Sequence, residues 1–566
     1  MPALRRGPSP GTAEAGTEAG TGSAARREGR GWRDALARLQ RLIGDNPLFS
    51  AALALSVVPR VIATLGFRPA VLFRLDTFDY LWDAVHLTPN PVNPSGYALF
   101  LALLRPFHSL TLVTVLQHVM GLAIAVMIYA LLRSRNVTRW LATLAAVPVL
   151  FDPGQILLEH LIMADILGLF LMVAAFTVVL IRRTPSVWRS ASAGLLMGAS
   201  ALVRPTTLPL IVALAVYLLA THAGWRKAGT ALLAGALPVL GYMSWFAAAN
   251  GSFNLTNSNG LFLWSRTMSF ADCATIKPPP DLRALCPTAQ PGVLSQPVAA
   301  KRPRPSTYLW DHDAWQWQPP SNALVPDVAA FNQANNSRAL RFAIRAIVAQ
   351  PLTYATIVLK GTVGPLVHTN AFRFPVPPET GGMGAVNARY AQAAVRAYTG
   401  SSATPFLAWH LSTGERHPYA GIMNSYQRVI FLPGPLFGLI AAIGLAGIII
   451  PRRRSGAAAL LWISAVIILA LPTAEHEYTY RYVIPAVPLV CMAAALAFRR
   501  RGEDDQPATV AIQQRDPARE PARPDPGSGH PDPRSGHPDP RSGHPDPRSG
   551  QPDPEPGRPG AEPEPA

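Results

Sequence analysis

The sequence predicts an all-α polytopic membrane protein, a bundle of about ten transmembrane helices with an outer loop domain and helices lying in the membrane plane. Three observations predict it. Of 566 residues, 49% are hydrophobic and 15% charged, and mean hydropathy is +0.18 despite a long polar tail; soluble domains carry about 25% charged residues. Several windows of roughly 17 to 22 residues are almost free of charge, the length a helix needs to cross about 30 Å of hydrocarbon. Arginine clusters fall between alternate windows, as the preference of basic residues for the cytoplasmic side requires.

Crossings are expected at about 47–66, 110–132, 139–152, 157–181, 190–203, 207–222, 228–248, 429–450, 456–473 and 481–498. "RREGRGWRDALARLQRL" precedes the first, and "RSRNVTRW", "IRRTPSVWR", "GWRK", "PRRRSG" and "FRRRG" follow the second, fourth, sixth, eighth and tenth. All of these then share one side, which places both termini in the cytoplasm, turns 67–109, 153–156 and 249–428 outward, and makes the plasma membrane the expected location. The net charge of +17 resides largely in these anchors. A concentrated basic face interleaved with aromatics, the mark of nucleic-acid binding, is not visible.

Five regions follow: a disordered basic cytoplasmic arm (1–45), an N-terminal transmembrane region (46–248) containing the outer loop 67–109, a large outer loop domain with interfacial helices (249–428), C-terminal transmembrane helices (429–499) and a disordered Pro/Gly-rich cytoplasmic tail (500–566). The tail repeats "RSGHPDP" with too few apolar groups to offset chain entropy. A linker explains the repeat better than a metal site at His530, His537 and His544. Cys491 reads as a small core residue, whereas Cys273 and Cys286 share the outer domain, where disulfides persist. A bridge closing this segment would contribute about 3 kcal/mol of chain entropy; the alternative is two unpaired thiols.

One stretch stands out chemically. "FRLDTFDYLWDA" (73–84) places Asp76, Asp79 and Asp83 among aromatics just after the first crossing. A solvated interfacial loop accounts for an acid or two. The following "NPVNPSGYALFLALLRPF" joins a turn-rich segment to an apolar helix too short to span, which points to a folded outer substructure with an in-plane helix at about 95–107.

These residues resemble the first outer loop of the GT-C glycosyltransferases, specifically the protein O-mannosyltransferase and aminoarabinose-transferase branch. There an acid, a short spacer and an aromatic precede a "HPPGYP"-like segment. Asp76 and Tyr80 match the acid and the aromatic; Asn93, Pro94, Gly96 and Tyr97 match the second segment in part. The second acid that usually follows the first is replaced by Thr77, and in a shifted register Asp79 takes the acid's place. "LLEHLIMADILGLFLM" resembles the segment bringing an acid to a later helix, with Glu159 and Asp165 as candidates. "GLLMGASALVRPTTLPLIVAL" resembles the family's "GLLLGLALLTRPTGLLL", and "RYVIPAVPLV" its "RYLLPALPLL", which single out Arg204, Arg481 and Tyr482.

The resemblance implies a GT-C-like bundle transferring a sugar from a polyprenyl-phosphate donor to a glycan, lipid or protein acceptor at the outer face, with inversion. Such transfer needs a base for the acceptor hydroxyl, a role for Asp76 or Asp79. It also needs cations for the departing phosphate, and guanidinium forks at Arg204 and Arg481 suit it, Arg60 being a weaker third. Snorkelling to headgroups is the alternative for each arginine. Tyr80, Tyr97, Glu159, Asp165 and Tyr482 complete the expected substrate-binding set. On one continuous helix Glu159 and Asp165 would lie on opposite flanks, so they are not expected to chelate one ion alone; Asp165 orients the acceptor, pairs with Arg204, or shares a divalent cation with Asp76. No metal-ligand spacing is present.

In the outer domain, "SRALRFAIRAIVAQPLTYATIVLKGTVGPL" reads as a helix in or on the outer interface, with Lys360 as a surface anchor. "WDHDAWQWQ" could stack on a sugar or pack the loop, and His476 reads as part of a solvated turn. The second functional class is a transporter or lipid flippase. Polar groups gathered at one face, without an internal repeat, favour the enzyme.

Overall fold

The computed structural model describes residues 44–286, 304–310, 331–369, 374, 393–400, 416–450 and 455–500. Most of the N-terminal arm, the repeat tail with its histidines, the "WDHDAWQWQ" stretch from residue 311 onward and the arginines of "PRRRSG" lie outside the described residues.

The chain runs through α1 (Pro47–Leu55), α2 (Val57–Gly66), α3 (Arg74–His86), α4 (Gly96–Leu104), α5 (Leu110–Ser134), α6 (Arg139–Phe151), α7 (Pro153–His160), α8 (Asp165–Leu180), α9 (Val187–Val203), α10 (Pro209–Ala220) and α11 (Trp225–Asn250). After these come α12 (Asn259–Thr267), α13 (Gln333–Ala349), α14 (Pro351–Val367), α15 (Tyr419–Val429), α16 (Gly434–Ile449), α17 (Gly456–Glu475) and α18 (Val487–Leu496). Among the described residues there is no strand; a single parallel bridge pairs Val71 with Leu161.

Capping chemistry sets several of the boundaries. Ser109, Ser186 and Ser455 accept hydrogen bonds from the first-turn amides of α5, α9 and α17. Asp152 accepts from Gly154 and Gln155, and Pro153 at the first helical position needs no donor, so α7 begins anew instead of continuing α6. The two helices meet at 53°.

Four helical segments have the length and composition to cross a membrane: Pro47–Gly66, α5, α11 and α17. The number rises to seven if each of three bent pairs, α6 with α7, α13 with α14 and α15 with α16, makes one span. Among the described residues, the ten expected crossings are thus matched by four to seven candidate spans and a set of shorter apolar helices. The expected crossing at 157–181 is interrupted at 161–164, so Glu159 ends one helix and Asp165 begins another. The continuous-helix geometry expected for that pair does not apply. α8 has 16 residues and α10 only 12, each short for a perpendicular crossing.

The largest core joins α5, α6 and α8 to α11 with α16 to α18 and Phe49 of α1. α9 and α11 approach closely because Gly194 and Gly198 face the carbonyls of Ala231 and Gly235; a Cβ on either glycine would come within 2.2 Å of a carbonyl oxygen. A second core lies under α3 and α4, which fold most of 67–109 into helix where an outer loop with only its later part helical was expected. A third surrounds Trp264 and Phe342, where α12 packs on α13 and a disulfide joins Cys273 to Cys286. α14 turns 99° from α13 and lies against the Gly434 end of α16 and the Glu475 end of α17, with Gly361 on Thr473 and Leu366 on Gly438.

Candidate active site

Four chain breaks meet at one end of the bundle: the start of α3, the start of α8, the link after α9 and the 3-10 turn Tyr480–Tyr482 before α18. Sequence dictates the geometry of the third. Pro205 disfavours helical dihedrals at the preceding residue, and Arg204 is extended, with φ −139° and ψ 104°. Its stem then lies over Gly168 of α8, where a Cβ would be 2.8 Å from Arg204 Cγ.

Arg204 Nη2 donates to Asp165 Oδ1. Asp165 is 1% exposed, and its Oδ2 has no hydrogen-bond partner among the described residues. Arg481 Nη1 donates to Asp76 Oδ2 at 3.4 Å and its Nη2 to the Tyr482 hydroxyl at 3.0 Å. Its guanidinium carbon lies 4.6 Å from the Phe73 ring centroid and 5.0 Å from that of Tyr482. The Arg204 guanidinium also faces the Tyr482 ring, at 5.3 Å. Two cations thus share one aromatic ring, each with its own carboxylate. The Arg481 side chain is 8% exposed and that of Asp76 33%, so Asp76 is the open member of the two ion pairs. Beside them a small cleft is bordered by Asp165, Arg204, Thr206 and Tyr482 at its polar end and by Leu169, Met172 and Ile468 deeper in the bundle.

Tyr80 is buried, with its ring 5.0 Å from that of Tyr97 in an edge arrangement. Burial first, and then the Asp76 carboxylate, push its hydroxyl above the usual phenol range. Tyr97 is fully buried and donates to Gln117 Oε1 at 2.7 Å. Gln117 Nε2 in turn donates to the carbonyl oxygens of Glu159 (2.9 Å) and Leu161 (2.7 Å), holding the unwound link ahead of Asp165.

The structure thus gathers Asp76, Tyr80, Asp165, Arg204, Arg481 and Tyr482, with Tyr97 behind them. Glu159 is not brought there. It is fully buried, receives Arg60 Nε at 2.8 Å and Nη2 at 2.9 Å, and also contacts His118 Nδ1 (2.9 Å) and Gln155 Nε2 (3.0 Å). Arg60 is consumed by the same network and by the carbonyls of Ser56, Val149 and Leu150, so it is no phosphate ligand. Asp79 lies one turn beyond Asp76, near Asp83. Asp83 is 6% exposed, and burial raises its carboxyl to about 7, against a hydrogen bond from Asn90. His476 is not in a solvated turn: its Nδ1 is 2.9 Å from Ser265 Oγ, its ring packs on Phe262, and burial, Arg266 and Arg481 lower it to about 3. Among the described residues no group of three or more His, Cys, Asp or Glu could hold a metal ion, and Asp76 and Asp165 each face a guanidinium.

Sequence reasoning missed Phe73, Thr77 and Gln117. Thr77 stands where the resembling enzymes have their second acid, but it is fully buried and turned from the cleft. Its Oγ1 accepts from the Phe73 amide at 2.8 Å and donates to the Ile162 carbonyl at 3.0 Å. A carboxylate there would face that carbonyl. A glutamine next to a histidine inside a largely apolar helix was the available signal for Gln117; nothing in the sequence distinguished Phe73 from its aromatic neighbours.

By helix length and composition, fold and site define an all-α protein with several membrane-crossing segments and a charged, cleft-bearing end. No family model matches the chain. No curated protein does either. Among solved structures, the chain is similar to the archaeal oligosaccharyltransferase AglB from Archaeoglobus fulgidus in complex with an inhibitory peptide and a dolichol-phosphate, at 13% identity and a TM-score of 0.33, covering 80% of this chain and 50% of that one. An Archaeoglobus fulgidus oligosaccharyltransferase in complex with Zn and sulfate gives 13% identity and a TM-score of 0.34, covering 79% and 48%. The chain spans about half the length of these proteins.

Proposed function

We propose that the protein is an integral-membrane glycosyltransferase of the GT-C type, moving a sugar from a polyprenyl-phosphate donor to a glycan, lipid or protein acceptor at the outer face of the plasma membrane. The observation that carries this reading is the double ion pair around Tyr482, set beside a cleft with a polar rim and an apolar floor. The guanidinium groups at the rim and the apolar floor match the chemistry of an amphiphile with an anionic head.

In this reading Asp76 is the base. It accepts the proton of the acceptor hydroxyl as that oxygen attacks the anomeric carbon and the bond from that carbon to the phosphate oxygen breaks. The leaving phosphate keeps the electron pair, and Arg204 and Arg481 stabilise the charge that collects on its oxygens. Asp76 fills the role better than Asp79 because it stands in the cluster against Arg481, whereas Asp79 lies one turn on, beside Asp83. Asp165 keeps Arg204 in place and offers Oδ2 to a substrate hydroxyl. A single base and no covalent intermediate suffice for inversion.

Orientation is supported by contacts at the other end of the bundle. There Arg135 donates to the carbonyl oxygens of Leu180 and Arg182, and the Arg500 amide to that of Asn136, so three basic segments share one end while the site occupies the other. Both termini on the cytoplasmic side agree with that distribution.

The test is transfer by the purified protein in lipid nanodiscs, with a panel of polyprenyl-phosphate sugars and acceptors. Wild type should form a glycosidic bond and Asp76→Asn should lose at least about a hundredfold in kcat, the scale of general-base catalysis. Full activity in Asp76→Asn would overturn the base assignment. Movement of substrate across sealed vesicles without a new bond would establish the transporter reading instead.

A further inference from the structure

We propose that Thr77 is a positioning residue that sets the distance between the two site carboxylates, an inference that rests on the transferase reading. The site is a closed circuit. Asp76 meets Arg481, Arg481 meets Tyr482, the Tyr482 ring carries Arg204, and Arg204 meets Asp165. Asp165 begins α8 three residues after Ile162, whose carbonyl accepts from Thr77, the neighbour of Asp76. Every link but the last is made by side chains that a substrate phosphate or hydroxyl would compete for. The Thr77 link lies outside the cleft and stays made when substrate enters.

Three further bonds make this link a stitch. The Val71 amide donates to the His160 carbonyl and the Ile162 amide to the Val71 carbonyl, both at 3.2 Å, while the Phe73 amide donates to Thr77 Oγ1. Phe73 in turn covers one face of the Arg481 guanidinium. One hydroxyl, 0% exposed, therefore fixes the start of α3, the ring over Arg481 and the approach to α8. The base and its cation keep their spacing to Asp165 and Arg204 while a sugar is bound between them.

The experiment compares Thr77→Val, isosteric without the hydroxyl, with Thr77→Ser, which restores it, in nanodiscs. In the valine variant kcat should fall roughly ten- to hundredfold, the scale that a displacement of about 1 Å produces, with donor KM unchanged. Serine should recover most of the loss. Backbone amide exchange over 71–77 and 160–165 should accelerate in the valine variant and not in the serine variant. Wild-type kcat in the valine variant, or a loss that serine does not rescue, overturns the inference. If the valine variant does not assemble, Thr77→Ala, which removes the same hydroxyl, carries the same expectations. Wild type inactive with every donor defeats the transferase reading, and the exchange measurement then decides Thr77 separately: unchanged exchange in the valine variant overturns its role.

Discussion

Replacing Glu159 tests whether it belongs to the scaffold or to the substrate. Its carboxylate is fully buried and receives two arms of Arg60 at 2.8 and 2.9 Å, together with His118 and Gln155. Glu159→Ala leaves a guanidinium that is 3% exposed with only carbonyl oxygens as partners. Breaking one side of a buried pair costs about 3–5 kcal/mol, because the surviving charge remains desolvated. Arg60→Met combined with Glu159→Met removes both charges while keeping volume and should recover part of that loss. The assay is equilibrium unfolding in mixed micelles, followed by tryptophan fluorescence, with turnover measured per folded molecule. A single variant within about 1 kcal/mol of wild type, or a double variant less stable than the single, would refute the reasoning. A loss of turnover per folded molecule with stability intact would return Glu159 to the substrate site.

Two other outcomes are expected. Burial raises the Asp83 carboxyl to about 7 in the folded protein, above its ordinary value of 3.8, so the folded state holds the proton over that interval. The contribution of Asp83 to stability should therefore be greatest below pH ~4, decline as pH rises through about 7, and level off above; Asp83→Asn should remove this decline and be more stable than wild type at pH ~8. A thermal-midpoint difference between the two that does not change with pH would contradict this. Tyr482→Phe keeps the ring shared by Arg204 and Arg481 and loses one hydroxyl, whereas Tyr482→Leu loses both. Affinity for polyprenyl phosphate, read by titration, should fall about fivefold in the first and more than about tenfold in the second; equal losses would mean that the ring does not organise the cations.

Much of the helix plan was legible because burial in hydrocarbon leaves a simple signature, a charge-free run. Pro47–Gly66, α5, α11 and α17 fall where such runs predicted them. The failures came where local chemistry interrupts an apolar run without adding charge. "FDPGQ" reads as the end of one crossing, yet its Asp152 cap and Pro153 start the short α7, which stops at His160 and divides the next expected crossing. The acid-rich stretch at 73–84 was legible as chemically special but not as a helix, since aromatics and acids there give no clean period. Pro205 was visible beside Arg204; that it would lay the arginine over Gly168 was not.

By itself the sequence determined the helical, apolar character of most described residues, the spacing of the basic clusters and the residue types gathered as candidates. Those properties are local, because they depend on what each segment contains and how long it is. Tertiary structure decided which candidates meet. Asp76 and Arg481 are 405 positions apart and still form an ion pair, while Glu159, six residues from Asp165, is withdrawn into a different network by Arg60. Pairing across such separations follows from how bent helices pack and where their breaks coincide, and no local pattern records it.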